Sequence, residues 1–214
     1  MIELVEMYFV TSSIKGEGKT FVSINLERSY AKLNKKVLLI GADLRNPQLH
    51  KYFDENLKQD KGLSNYLHNN SINWNDLIFQ NEQKDYSFDV LLSGDIPPNS
   101  LALLSNQRFS TFVENLKKEA YNVIIFDTAP LLLASDSLII SKNADNTLYV
   151  MRSGATESKL LLYSSKLQED KKLINMGYVI NDVNFKNGYN YGHSYGYDSF
   201  IEKKSWFRHL FKKS

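Results

Sequence analysis

Cysteine is absent from this 214-residue chain. The absence excludes a disulfide framework, a thiolate metal site and a cysteine nucleophile, and it fits a cytosolic protein. The four histidines, at positions 50, 68, 193 and 209, are scattered without the spacing of a metal-binding motif. No apolar run approaches the roughly 20 residues that a membrane span needs, so we expect the chain itself to be soluble.

Net charge is also small, at +2, and it is unevenly placed. Residues 202–214 hold five bases and one acid, which leaves the rest of the chain at about −2. A nucleic-acid binder shows a broader basic field, so we expect no nucleic-acid partner. The same basic segment contains Trp206 and Phe207, and it fits either attachment to an anionic membrane surface or an exposed helical tail.

Short apolar segments alternate with helical patterns along the chain. The runs 37–40 and 123–126 consist only of Val, Leu, Ile and Phe, as is typical of strands buried on both faces. The predicted strands cover 7–11, 36–41, 87–92, 122–127, 147–152 and 176–181, and the predicted helices cover 21–33, 107–119, 136–142 and 157–172. This alternation predicts an α/β fold with a mostly parallel sheet and helices on both faces, which binds ligands at the carboxyl ends of its strands.

Residues 7–20, MYFVTSSIKGEGKT, have the layout of a phosphate-binding loop. In such a loop the backbone N–H groups surround the phosphates, the lysine reaches the terminal oxygens and the threonine hydroxyl holds Mg²⁺. The first glycine of the usual pattern is replaced here, and the alternative is a chance Gly-Lys-Thr on a turn between strand and helix. We predict a catalytic Lys19, a metal ligand in Thr20, and an ATP-binding loop formed by Ser13, Ile14, Lys15, Gly16, Glu17, Gly18, Lys19 and Thr20.

Aspartates follow two of the buried strands. Asp43 comes after the run 37–40, with Arg45 two residues later, and a helix cap or a surface ion pair is the alternative. Asp127 ends the run 123–126, where a carboxylate of a phosphate-loop protein accepts from Mg²⁺-bound water or from the loop hydroxyl. We predict both aspartates to be catalytic and to hold the metal. Asp136 is either a more remote group of the site or the N-cap of the following helix, and we predict the cap.

Tyrosines are concentrated near the end of the chain, where glycines separate them and no apolar face recurs. The segment is either a low-complexity linker or a set of accessible phenols on a flexible tether. We expect three parts: a phosphate-loop domain over 1–184, a flexible tyrosine cluster over 185–201 and a basic aromatic tail over 202–214. The clustered tyrosines are Tyr189, Tyr191, Tyr195 and Tyr197.

Taken together, these motifs resemble the bacterial tyrosine kinases of capsule and exopolysaccharide export, the BY-kinases. The segments that carry the resemblance are the phosphate loop, DLRNP at 43–47, GDIPPN at 94–99, DTAP at 127–130 and the tyrosine cluster. The resemblance spans roughly residues 8–197. It implies a P-loop NTPase of the MinD/ParA-like type, with a Walker A motif at 13–20, a Walker A′ motif at 41–45 and Asp127 as the Walker B carboxylate.

The resemblance also implies an activity and its partners. The activity is ATP- and Mg²⁺-dependent autophosphorylation of the tyrosine cluster in trans, within a homo-oligomeric ring whose subunits exchange tails and separate once phosphorylated. The implied partner is a membrane polysaccharide co-polymerase region, fused or separate, at the cytoplasmic face of the inner (cell) membrane. Asp43 is our first choice for the base. Arg45 is predicted to be catalytic as well, through a contact to phosphate or to a neighbouring subunit. Arg152 and Asn181, at strand ends, are predicted to contact ATP.

Two departures from the family pattern bear on these expectations. The Walker A′ motif usually begins with a first aspartate, spaced Asp-x-Asp, and Gly41 stands there in this chain. Its absence leaves Asp43, Asp127 or the substrate phosphate to accept the tyrosine proton, and weaker catalysis is one expected consequence. The family also commonly carries a Glu-x-x-Arg-x-x-Arg helix before the first strand, which residues 1–6 do not contain. Either the sequence is a piece of a longer protein or the ring assembles differently.

Two other functions remain open on the sequence alone. One is a regulatory or partitioning ATPase of the MinD/ParA type, whose signature lysine would lie where Ile14 is found, one place before Lys15. The other is a nucleotide-binding scaffold without kinase activity. ATP hydrolysis without phosphotyrosine would indicate the first, and ATP binding without transfer would indicate the second.

Overall fold

The computed structural model describes residues 5–53, 61–82, 87–134 and 136–184. The strands are β1 (Glu6–Ser12), β2 (Val37–Gly41), β3 (Ile78–Glu82), β4 (Ser87–Leu91), β5 (Val123–Asp127), β6 (Asn146–Arg152) and β7 (Met176–Asn181). The α-helices are α1 (Lys19–Lys32), α2 (Leu63–His68), α3 (Ser100–Leu104), α4 (Gln107–Leu116), α5 (Ser137–Ser141) and α6 (Ser158–Glu169). Two short 3₁₀ helices cover Leu49–Tyr52 and Trp74–Leu77.

One seven-stranded sheet has the order β3-β4-β2-β5-β1-β6-β7. Every neighbouring pair is parallel except β3 with β4, which is antiparallel. The prediction of a mostly parallel α/β sheet is therefore confirmed. Strand β3 was not predicted, because its sequence IFQNE has no sustained apolar alternation. It forms at the sheet edge by pairing with β4.

The core lies on both faces of the sheet, because side chains alternate across each central strand. In β5, Ile124 and Phe126 pack into one apolar cluster and Val123 and Ile125 into the other. Helix α1 covers the second cluster, whereas buried side chains of α2 to α6 belong to the first. Strands that are apolar on both faces require helices on both faces, as the sequence predicted.

The helix that follows the phosphate loop begins earlier than predicted, at Lys19 instead of residue 21. Gly18 is its N-cap and has a left-handed backbone with φ +98°. Lys19 and Thr20 therefore lie in the first turn of α1, so the fold places their side chains by helical geometry. Helices α2 and α3 were not predicted, since segments of five or six residues show too little periodicity.

In the part of the chain that the structure describes, no helix is both long and apolar enough to cross a bilayer. The tyrosine cluster and the basic aromatic tail lie outside the described residues. The predictions for Tyr189, Tyr191, Tyr195 and Tyr197 therefore stay predictions, as does the division of the chain at residues 184 and 201.

Candidate functional site

The candidate site lies where the central strands β1, β2 and β5 end at the same edge of the sheet. Gly41 of β2 is paired in register with Asp127 of β5, and so is Val10 of β1. Beyond β2, the backbone N–H groups of Ala42 and Asp43 donate to the Asp127 carbonyl at 2.8 and 3.0 Å. Parallel pairing thus brings the phosphate loop and both predicted aspartates together, although they are far apart in sequence.

Two glycines give the loop between β1 and α1 its course. Gly16 has φ +87° and Gly18 has φ +98°, a region that side chains disfavour. At Gly18 an added Cβ would also lie 2.0 Å from Asn181 Nδ2. Ser13, which replaces the first glycine of the usual motif, is fully buried and shares a 2.7 Å hydrogen bond with the Tyr149 hydroxyl of β6. A serine is therefore accommodated there by a partner on the neighbouring strand.

Three side chains of α1 converge on the end of β5. The Thr20 hydroxyl donates to Asp127 Oδ2 at 2.8 Å, and the Ser23 hydroxyl donates to Oδ1 at 3.3 Å. Lys19 is 8% exposed and lies within electrostatic reach of Asp127, Asp43 and Glu17. The structure thus joins the predicted Lys19, Thr20 and Asp127 in one cluster of charge and hydroxyl groups.

Burial shifts the pKa values of this cluster toward the neutral forms. Desolvation raises the pKa of Asp127 to about 7, although the Thr20 hydrogen bond and the Lys19 charge act in the opposite direction. Burial likewise lowers the pKa of Lys19, against the raising effect of the neighbouring carboxylates. A site of this kind gains from a cation and from phosphate oxygens, since each supplies charge that the buried groups lack.

Asp43 is fixed by its own turn. Its Oδ1 accepts hydrogen bonds from the backbone N–H groups of Arg45 and Asn46, at 3.1 and 2.9 Å. The Arg45 Nε donates to Asp136 Oδ2 at 3.1 Å, and the Ser100 hydroxyl donates to the same oxygen at 2.5 Å. The prediction that Asp136 caps the next helix is wrong. It occupies the N-cap position of α5 but makes no side-chain cap hydrogen bond there, because Arg45 and Ser100 hold its carboxylate.

Gly41, at the place of the missing first aspartate, is packed against the end of β4. A Cβ at this position would lie 2.6 Å from Ser93 Oγ and 3.0 Å from Ser93 N. The local packing therefore favours glycine. A carboxylate at position 41 would require Ser93 to move.

The two residues predicted to contact ATP from the far strands lie at the ends of β6 and β7. Arg152 forms an ion pair with Asp182: its Nε and one terminal guanidinium nitrogen each lie 2.9 Å from Asp182 Oδ2. Asn181 donates from Nδ2 to the Glu17 carbonyl of the phosphate loop at 3.0 Å. Asn181 thus directly holds the backbone of the loop, whereas the guanidinium of Arg152 is paired with Asp182 instead of with the loop.

Sequence reasoning missed four residues of this site. Ser23 lies three residues after Thr20 on the same face of α1, so helical periodicity could have found it. The other three had no such signal, because each contacts a site residue that is remote in sequence. Tyr149 contacts Ser13, Thr156 contacts Glu17 and Ser100 contacts Asp136.

The residues present fit a nucleoside triphosphate with Mg²⁺. The glycine loop leads into the first turn of α1, and backbone N–H groups at such a helix start bind phosphates. The Thr20 hydroxyl and the Asp127 carboxylate are oxygen donors of the type that Mg²⁺ takes in combination with phosphates. The structure of the site defines a phosphate-loop nucleotide-binding protein.

Comparison with known proteins identifies the particular family. A family model described as an AAA domain matches residues 9–170. The chain is 35% identical over 197 residues to the tyrosine-protein kinase YwqD of Bacillus subtilis, covering 91% of this chain and 79% of that protein. It is 31% identical to the tyrosine-protein kinase CpsD of Streptococcus pneumoniae, and the match covers 81% of this chain and 74% of that protein. The chain belongs to the family of bacterial tyrosine-protein kinases.

Longer relatives and solved structures agree with this assignment. The chain is 32% identical to the tyrosine-protein kinase Etk of Escherichia coli K12 but spans only 23% of its length. The kinase domain of Escherichia coli ETK superposes with a TM-score of 0.75 at 30% identity, covering 91% of this chain and 75% of that one. MinD of Aquifex aeolicus, at 21% identity and a TM-score of 0.67, shares the fold.

Proposed function

We propose that this chain is an ATP-dependent protein-tyrosine autokinase that phosphorylates the tyrosine cluster of another copy of itself. The observation that carries the proposal is the cluster at the end of the phosphate loop, in which the Thr20 hydroxyl donates to Asp127 and Lys19 interacts electrostatically with the same carboxylate. The names of the relatives support phosphotyrosine as the product, since YwqD, CpsD and Etk are all tyrosine-protein kinases.

In this proposal the loop 13–20 binds the β- and γ-phosphates of ATP through backbone N–H groups and Lys19. When bound, Mg²⁺ would be held by Thr20, Asp43 and Asp127 and would neutralise charge that develops on the transferring phosphoryl group. Buried as it is, the ammonium of Lys19 supplies positive charge in a poorly hydrated place, where it acts strongly.

We assign the proton acceptor to Asp43. A free tyrosine has a pKa near ~10, so an attacking phenol needs a carboxylate to accept or align its proton. The two backbone hydrogen bonds to Oδ1 fix the Asp43 carboxylate beside the cluster, and its second oxygen is the proposed acceptor. Arg45, whose guanidinium is anchored on the buried Asp136, is proposed to contact phosphate or the neighbouring subunit.

The proposed assembly is a ring of subunits that exchange tyrosine tails. Each phosphotyrosine adds roughly −1.5 to −2 charges at pH 7. A tail carrying four of them would be repelled by ATP phosphates in the site that it entered, so we expect phosphorylated subunits to separate. Static light scattering on fully phosphorylated protein tests this, and a mass unchanged from the unphosphorylated oligomer would contradict it.

The proposed setting is capsule or exopolysaccharide production at the cytoplasmic face of the cell membrane. One relative, 34% identical, is a putative tyrosine-protein kinase in the cps region of Klebsiella pneumoniae, and this chain spans 25% of its length. The greater length of such relatives supports a membrane co-polymerase region as the partner, either fused to the kinase or separate from it.

The decisive experiment is incubation of the purified chain with Mg²⁺ and ATP, followed by phosphosite mapping by mass spectrometry. Lys19→Ala is the inactive comparison, and Lys166→Ala on the exposed side of α6 is the matched control. We expect phosphate on Tyr189, Tyr191, Tyr195 or Tyr197 in the native chain and in K166A, and none in K19A. Release of ADP without phosphotyrosine would contradict the kinase proposal and favour the MinD-type ATPase.

A further inference from the structure

Glu17 has a buried side chain inside the phosphate loop, between the two glycines that shape it. Only 1% of the residue is exposed. A buried carboxylate is costly unless both oxygens find donors, so its contacts should explain why a glutamate is tolerated there.

Both carboxylate oxygens of Glu17 face hydrogen-bond donors. Oε2 accepts from the backbone N–H of Ile14 at 2.8 Å, across the turn of the loop itself. Oε1 accepts from the hydroxyl of Thr156, which lies in the connection between β6 and α6. The carboxylate therefore links the start of the phosphate loop to the connection between β6 and α6.

The direction of the second hydrogen bond is fixed. The backbone N–H of Arg152 donates to the Thr156 hydroxyl oxygen at 2.8 Å. A hydroxyl that accepts from this N–H directs its own proton elsewhere, and the Glu17 carboxylate is its acceptor. Position 17 thus faces two donors. A glutamine would present an N–H₂ group to one of them.

The backbone of the same residue is held from β7. Asn181 Nδ2 donates to the Glu17 carbonyl at 3.0 Å, and the amide of Asn181 closes over Gly18. Glu17 is also one of three carboxylates whose charge favours the protonated form of Lys19. Its side chain, backbone and charge therefore all act on the segment that binds phosphate.

We propose that Glu17 is a positioning residue, whose carboxylate bridges the Ile14 N–H and the Thr156 hydroxyl and holds the phosphate loop in the shape that accepts a nucleotide. The role rests on the proposed function, in which this loop binds ATP. In this role of Glu17, the N–H of Ile14 donates to the Glu17 carboxylate instead of to a phosphate. Thr156 belongs to the nucleotide site through its contact with the loop, without contacting the nucleotide.

The test is titration with a fluorescent ATP analogue and Mg²⁺. Glu17→Gln is expected to weaken binding about 10- to 100-fold, because one buried donor loses its acceptor. Thr156→Val should weaken it similarly, and Thr156→Ser, which keeps the hydroxyl, should stay within about twofold. Glu157→Gln is the matched control, since its side chain is 63% exposed on the same connection, and it should bind as the native chain does.

The double variant E17Q/T156V separates positioning from general damage. Because both changes break the same hydrogen bond, their effects should combine to much less than the product of the single effects. A variant that is merely less stable would lower the amplitude of binding and leave the dissociation constant unchanged, so thermal unfolding is measured alongside. In the kinase assay, E17Q should raise KM for ATP more than it lowers kcat.

An E17Q dissociation constant within twofold of the native one would overturn the proposal, and so would fully multiplicative effects of the two substitutions. Absence of nucleotide binding by the native chain would refute the proposed function, and this role of Glu17 with it.

Discussion

Glu27 makes the stability of this protein depend on pH. It lies on α1, fully buried, and neither carboxylate oxygen has a hydrogen-bond partner among the described residues. Desolvation raises its pKa from 4.5 to about 8, and the nearby charge of Arg28 offsets only part of the effect. The folded protein therefore retains a proton at pH values where the unfolded chain has released it.

The sign and size of the effect follow from this difference. Below pH 4.5 both states are protonated and Glu27 costs nothing extra. As the pH rises from 4.5 to about 8, unfolding releases the proton, so stability falls, and it levels off above pH 8. At 1.36 kcal/mol per pKa unit the full loss is about 3–5 kcal/mol, a large part of the 5–15 kcal/mol by which domains are stable.

Glu27→Gln tests this directly. At pH 5 the Glu27 side chain of the folded protein is protonated, and E27Q should be more stable than the native chain by less than about 1 kcal/mol, whereas at pH 8 E27Q should be more stable by about 3–5 kcal/mol. Urea unfolding followed by circular dichroism at pH 5, 6, 7 and 8 measures the difference. Other titrating groups, Asp127 among them, cancel because both proteins contain them.

The control is Glu114→Gln, an exposed glutamate on α4. Because this side chain is exposed, E114Q should lack the stabilisation that E27Q gains at pH 8. A difference between E27Q and the native chain that is flat from pH 5 to 8 would refute the assignment of a raised pKa to Glu27.

Three further predictions concern the site. Asp127→Asn should reduce autophosphorylation about 10- to 100-fold, since the amide is a poorer partner for metal and hydroxyl; an unchanged initial rate would contradict this. Gly41→Ala should cost about 1–3 kcal/mol in urea unfolding because its Cβ meets Ser93, and less in the S93A background; equal costs in both would argue against the contact. Gly18→Ala should weaken nucleotide binding about tenfold or more, because φ +98° strains a side chain; native affinity would exclude such strain.

Much of the fold could be predicted because its signals are local. The apolar runs of β2 and β5 are buried on both faces whichever helices cover them, and an aspartate after each run lies at the strand end in any parallel sheet. Gly16 and Gly18 likewise indicate the turn that leads into α1. These features need no knowledge of distant residues.

The partners of the site residues needed the tertiary structure. The Glu17 carboxylate meets Thr156 across 139 positions of sequence, and Arg45 meets Asp136 across 91. No periodicity connects such pairs. Asp136 was wrongly predicted to be a cap because its real partners are Arg45, in the loop after β2, and Ser100, at the start of α3.

The sequence alone therefore determined the succession of most strands and helices along the chain, the phosphate loop and the two strand-end aspartates. Backbone pattern and side-chain type fix these features locally. Only the tertiary structure decided which hydroxyls and amides hold the loop and why glycine occupies position 41. Those outcomes depend on which strands pair, and the space beside Gly41 is set by the end of β4.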